Sequence, residues 1–199
     1  QAAFVDIGLN RTAFLHATEI ARSRPELESD AEGQEPTVPP ICEMIREGQS
    51  LPVQVIKDPM GSKGARLTTQ LSIPSRYLVY LPGSDTVGVS LRIDNEEERA
   101  RLRSLVDEIL GGRESNRVGL IVRTNAEGVG TRELSRDLEY LRRLWAGLEK
   151  MLDSDCDPGT CIYEDLTLSL RALRDLMHRG IERVRIDDAE TLRRAQSFA

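Results

Sequence analysis

Soft metal ligands are few in this chain: three cysteines and two histidines in 199 residues. Cys42, Cys156, Cys161, His16 and His178 lack the paired spacing of a structural zinc site, so none is expected within the chain. An odd cysteine count also argues against a disulfide framework, and three reduced thiols are expected. No apolar run approaches the roughly 18 residues of a membrane span. The segment from Gln1 shows no basic stretch leading into an apolar signal core, so a cytoplasmic protein is the expectation. An excess of positive charge is missing too: the formal net charge is -6 at pH 7, which excludes a surface coated for indiscriminate nucleic-acid binding.

What is present suits a soluble globular protein of one or two domains, with 39% hydrophobic and 30% charged residues. The charge is unevenly placed. Between Val53 and Ile93, Lys57, Lys63, Arg66, Arg76 and Arg92 meet only Asp58 and Asp85, a local balance of +3. The preceding stretch is acidic, with Glu26, Glu28, Asp30, Glu32 and Glu35. A polyanion therefore belongs on the central stretch.

Punctuation and period give the organisation. Residues 2–7 read as a strand and 12–15 as its partner, joined by a turn at 8–10. Residues 22–38, rich in Glu, Pro, Ser and Gly, have no periodicity and read as a surface loop or insertion. Ile41, Met44 and Ile45 suit one face of a short helix stopped by Gly48. Residues 51–58 and 65–73 read as strands joined by a turn at 59–64, with Lys57 and Lys63 near its tip. Short strands, hairpins and a loop-borne helix suggest a small antiparallel barrel, the oligonucleotide-binding barrel being the leading candidate. Phe4 and Phe14 are the aromatics at hand to stack bases, although phenylalanines on strands more often pack in a core.

Further along, residues 76–81 and 87–93 read as two strands. Asp94 or Asn95 then caps a helix whose first turn holds Glu96, Glu97 and Glu98, favourable against its dipole. Leu102, Leu105, Val106 and Ile109 form its buried stripe, and Gly111-Gly112 ends it. A strand at 119–122 leads to a long helix at 131–152, with Leu134, Leu138, Leu141, Trp145, Leu148 and Leu152 on one stripe. In the tail, strands at 161–164 and 183–186 alternate with helices at 166–177 and from 188, as at the opening of a further α/β region.

Residues 119–131 carry the sharpest chemical signal. A short apolar strand ends on Arg123 and Thr124, and a loop with Gly128 and Gly130 then opens a helix at Thr131. A guanidinium offers a planar fork of donors suited to phosphate, and a hydroxyl or a helix-start amide can complete the shell. An isolated Arg-Thr pair also fits a plain strand-to-helix connection with a solvated arginine. Gly128 and Gly130 match neither the Walker loop, which needs Lys-Ser or Lys-Thr after its last glycine, nor the dinucleotide fingerprint with its third glycine, so no nucleotide cofactor follows.

Longer motifs add to this reading. They are Ala2-Ala3-Phe4-Val5-Asp6-Ile7-Gly8 with Ala13-Phe14-Leu15-His16, Val55-Ile56-Lys57-Asp58-Pro59, and Gly61-Ser62-Lys63-Gly64-Ala65-Arg66-Leu67-Thr68-Thr69. Arg76-Tyr77-Leu78-Val79, Val87-Gly88-Val89-Ser90-Leu91-Arg92-Ile93 and the segment through Gly130 follow in order. Over most of residues 2–148 the chain resembles the amino-terminal half of endoribonucleases of the ribonuclease E/G family.

The resemblance implies an α+β fold in three parts. Residues 1–74 would form a partial oligonucleotide-binding (OB) β-barrel, its first strand missing and a loop inserted at 22–38. Residues 75–160 would form a small α/β 5′-sensor domain, and 161–199 the start of a ribonuclease-H-like α/β region. It implies that Arg123, Thr124 and the backbone amide of Val79 hold the 5′ phosphate of RNA, and that Phe4, Phe14, Lys63, Lys57 and Arg92 contact RNA. Leu91 departs from the polar or basic residue of some relatives. The implied partner is single-stranded RNA with a 5′ monophosphate, cut by the full-length endoribonuclease, a homo-oligomer, in RNA processing and decay. Catalytic magnesium and a subunit-linking zinc are expected in the full-length family member and not in this fragment, which should recognise RNA without cutting it. The alternative is a non-catalytic RNA-binding module of the OB type.

Overall fold

The computed structural model describes residues 1–21, 39–111, 118–154, 156–177 and 180–198; the expected insertion at 22–38 lies outside them. The chain starts with β1 (Ala2–Val5), β2 (Ala13–His16), α1 (Ala17–Ala21), the single turn α2 (Ile41–Met44), β3 (Gln54–Lys57) and β4 (Arg66–Thr68). The four strands form one sheet in the order β1-β2-β4-β3, parallel between β2 and β4 and antiparallel elsewhere. Alternation along the pleat sends Ala13, Leu15 and Leu67 into a small core with Ala65, flanked by Val5, Ile7, Ile20, Leu51 and Val53. Gly64 lets the turn before β4 lie against the start of β2: a Cβ there would sit 1.9 Å from the carbonyl oxygen of Thr12.

The strand expected over 65–73 is broken in two. After β4 the chain leaves the first sheet, and β5 (Ile73–Pro74) opens a second one. Gln54 holds the break: its side-chain amide accepts from the Ser72 amide at 2.8 Å and donates to the Ser72 carbonyl at 3.1 Å, replacing a strand neighbour with a side chain. Among the described residues the first sheet stays open and four-stranded and closes no barrel. The architecture is mixed α+β with two small sheets.

The second sheet adds β6 (Leu78–Pro82), β7 (Val87–Val89) and β8 (Val118–Val122) in the order β5-β6-β8-β7, with β7 parallel to β8. α3 (Glu96–Leu110) and α4 (Thr131–Leu152) supply its helical layer. Leu78, Tyr80, Leu120 and Val122 from the strands pack with Leu102, Val106, Leu134, Leu138 and Leu141 from the helices. Asn95 starts α3, its side chain accepting from the amides of Glu97 and Glu98, and Gly111 ends it at a φ of 73°. Trp145 lies beside Tyr80, ring centroids 6.4 Å apart, as core packing requires.

The tail corrects the expected strands at 161–164 and 183–186. Neither segment is a strand, and neither finds a partner strand among the described residues; what forms is α5 (Leu168–Leu176) and α6 (Ala189–Phe198), packed together. No helix among the described residues is long and apolar enough to cross a membrane.

Candidate nucleic-acid interface

The pleat that buries Leu15 and Leu67 turns the intervening residues of the first sheet to its other face. Phe4 of β1 stands opposite Phe14 of β2, Phe14 opposite Arg66 of β4, and Arg66 opposite Lys57 of β3. One row across four strands thus carries two rings and two cations. A bulge between Val55 and Lys57 brings Lys57 into that row, where an unbroken register would have put Ile56. Phe4 is 78% exposed and Phe14 37%, so neither ring belongs to the core. They meet edge to face with centroids 6.4 Å apart, and His16 lies 6.2 Å from Phe14. Lys63 is exposed on the hairpin tip, where Met60 and Lys63 exchange backbone hydrogen bonds. Arg66, read in the sequence as part of the basic stretch, is not among the expected RNA contacts. It is partly engaged, donating to Glu19 at 3.1 Å.

The second feature lies at one end of the other sheet. Because β7 and β8 are parallel and β6 antiparallel to β8, three connections meet there: the turn before β6, the turn after β7 and the turn after β8. Arg123 and Thr124 leave β8 at this end, and Thr124 opens a 3-10 turn, Thr124–Ala126. Val79 stands in register with Ile121 of β8 and Pro74 of β5. The Ser90 amide donates to the Val122 carbonyl, which brings the exposed Arg92 to the same end.

The Arg123 guanidinium is engaged along one edge within the protein. Its Nη1 and Nη2 each donate to one oxygen of Asp175 in α5, both at 2.9 Å. Nη1 also donates to the carbonyl of Ser75. Asp175 is held from its other side by Arg174, from Nε at 2.9 Å and from Nη2 at 3.3 Å. Burial raises the Asp175 pKa, but hydrogen bonds from Arg123 and Arg174 outweigh it and hold the carboxyl at about 2. Asp137 of α4 fixes the turn beneath, accepting from the amides of Tyr77 and Leu78 at 3.0 Å each and from the Ser75 hydroxyl. Nothing in the local sequence marks Asp137 or Asp175 as a partner, since each contacts residues some 50 to 60 positions away.

The glycine loop is anchored to α3. Its Gly128 amide donates to Glu98 at 2.8 Å, and Arg101 bridges Glu98 to the Val129 carbonyl. The hydrogen bonds from Arg101 and then from Gly128 pull the Glu98 carboxyl down to about 2. No group of three or more His, Cys, Asp or Glu side chains that could hold a metal forms among the described residues. Cys42, Cys156 and Cys161 are free and exposed.

Residues 72–199 match the family model described as "Ribonuclease E/G family". The chain is 47% identical to ribonuclease G of Escherichia coli (strain K12) over 193 residues, which are 96% of this chain and 38% of that protein. It is 46% identical to ribonuclease G of Haemophilus influenzae over 94% of this chain and 37% of that protein. Ribonuclease E of Nostoc sp. is 34% identical over 99% of this chain and 27% of that protein. The chain thus spans under two fifths of the length of these relatives.

Proposed function

Because this chain belongs to the ribonuclease E/G family, we propose that it is the RNA-recognising part of an endoribonuclease of RNA processing and decay, working in the cytoplasm. The single observation that carries the reading is the row Phe4, Phe14, Arg66 and Lys57 on the exposed face of the first sheet. Stacked bases need exposed rings and a phosphate backbone needs cations beside them, and this row supplies both with Lys63 at its edge. The first sheet is then the open remnant of an oligonucleotide-binding barrel, the second with α3 and α4 a 5′-sensor domain, and the tail the start of a ribonuclease-H-like region. The cut itself, its magnesium, the zinc link and homo-oligomer formation fall to regions of the longer relatives.

Arg123, Thr124 and Val79 are the proposed contacts to the 5′ phosphate, with Arg92 nearby. A terminal phosphomonoester carries about -1.5 to -2 charge near pH 7, against none on a 5′ hydroxyl. The site would therefore distinguish the two ends by charge. The test is a binding series on single-stranded oligonucleotides of one sequence with 5′-monophosphate, 5′-hydroxyl or 5′-triphosphate ends. The monophosphate should bind tightest. Arg123→Ala should weaken it by about 10- to 100-fold, the loss of a charge-assisted hydrogen bond, and leave the hydroxyl form unchanged. Equal affinity for all three ends would instead favour a second reading, an OB-type RNA-binding module indifferent to the 5′ end, to which the Arg123–Asp175 pair lends support.

A further inference from the structure

We propose that Asp175 is a positioning residue for the phosphate site: it grips the Nη1–Nη2 edge of Arg123 and leaves the Nε–Nη2 edge to the ligand. This rests on the 5′-phosphate reading above and adds to it a residue on a different element, α5.

A guanidinium has five N–H donors on three edges. In Arg123 both Nη1 hydrogens are used, on the Ser75 and Arg76 carbonyls and on Asp175, and one Nη2 hydrogen is used on the second Asp175 oxygen. Nε and the remaining Nη2 hydrogen have no acceptor among the described residues. They lie side by side in one plane, the paired geometry that takes two phosphate oxygens at once. The hydroxyl of Thr124, the next residue, is likewise without a partner among the described residues. An arginine already fixed along one edge loses less freedom when it binds through another.

The carboxylate is itself fixed. Arg174 holds both its oxygens and reaches the Pro74 carbonyl at 3.1 Å, while Asn125 donates to the Asp175 backbone carbonyl at 3.2 Å. Arg174 also lies 3.9 Å from Asp165, which Arg171 approaches at the same distance, so the linked set of Arg123, Arg174 and Arg171 with Asp175 and Asp165 keeps a net positive charge. A phosphate approaching Arg123 therefore meets a positive group, although carboxylates lie within it.

The experiment compares the wild-type chain with Asp175→Asn, Asp175→Glu, Arg123→Ala and the Asp175→Asn/Arg123→Ala double variant. Fluorescence anisotropy gives the affinity of each for 5′-monophosphate and 5′-hydroxyl RNA of the same sequence, and thermal melting shows that each is folded. Asp175→Asn should lower the monophosphate preference about three- to tenfold, with hydroxyl affinity unchanged, and should cost nothing further once Arg123 is alanine. Asp175→Glu, which keeps the charge, should recover most of the preference. A rise in monophosphate affinity on Asp175→Asn would make Asp175 a competitor for Arg123 and overturn the proposal. So would an unchanged preference, or an equal loss in the Arg123→Ala background. If the wild type itself shows no preference, the 5′-phosphate reading fails and this proposal with it; if the preference is present and Asp175→Asn leaves it alone, only this proposal fails.

Discussion

At the scale of single residues, Phe4 and Leu15 show how position on a strand decides what an apolar side chain does. Leu15 is fully buried, whereas Phe4, on the neighbouring strand and the opposite face of the pleat, is 78% exposed. Water gains little by the removal of a ring so exposed, and the fold loses little. Phe4→Ala should leave the melting temperature nearly unchanged, yet cost about 1–3 kcal/mol of RNA affinity if a base stacks there, whatever the 5′ end carries. Titration of the variant with 5′-monophosphate and 5′-hydroxyl RNA checks both halves; a loss confined to the monophosphate form would contradict the separation of the two sites. The position of Arg123 at the end of a strand was legible from the apolar run before it. Its partner was not, because Asp175 lies 52 residues away and becomes a neighbour only when α5 docks.

Between elements, contacts are carried by carboxylates placed where backbone amides would otherwise go unpaired. Asp137 lies on α4 yet accepts from two amides and a hydroxyl of the turn that leads into β6. Asp137→Ala should take the acceptor from all three donors together and destabilise the chain by about 1–3 kcal/mol, measured by denaturant unfolding. A change within a few tenths of a kcal/mol would mean that water replaces the carboxylate. The long helices were legible because periodicity and caps are local: α4 spans Thr131–Leu152 as its leucine spacing predicts, and the sequence narrows the α3 cap to Asp94 or Asn95, of which Asn95 takes the role. Strands were less so. A strand exists only with a neighbour to pair with, and this information is absent from the alternation of residues 161–164 or 183–186. The split of the strand at 65–73 depended on a side chain, Gln54, acting as that neighbour.

Across the whole molecule, the tail is joined to the second sheet in a way that apolar burial does not explain. α5 has no buried residue, and Leu168 and Leu176 are 77% and 66% exposed. Its links to the sheet are polar: Asp175 to Arg123, Arg174 to the Pro74 carbonyl, Arg76 to the Met177 carbonyl and Asn125 to the Asp175 carbonyl. A junction of this kind is sensitive to acid. The Asp175 carboxyl titrates at about 2 in the fold against 3.8 ordinarily, so the unfolded chain binds the proton first as pH falls. The stability this group contributes is complete above about pH 4 to 5 and is lost as pH drops through about 2. Denaturant unfolding of the wild type and Asp175→Asn between pH 6 and 2 should therefore give a stability difference that is constant at the upper end and shrinks toward the acid end. Hydrogen exchange should show the same loss first in α5, while the buried residues of α3 and α4 keep their protection. A difference that stayed the same down to pH 2 would mean that the charge on Asp175 does not hold the tail in place, and the docking of α5 would then have to rest on its contacts with α6.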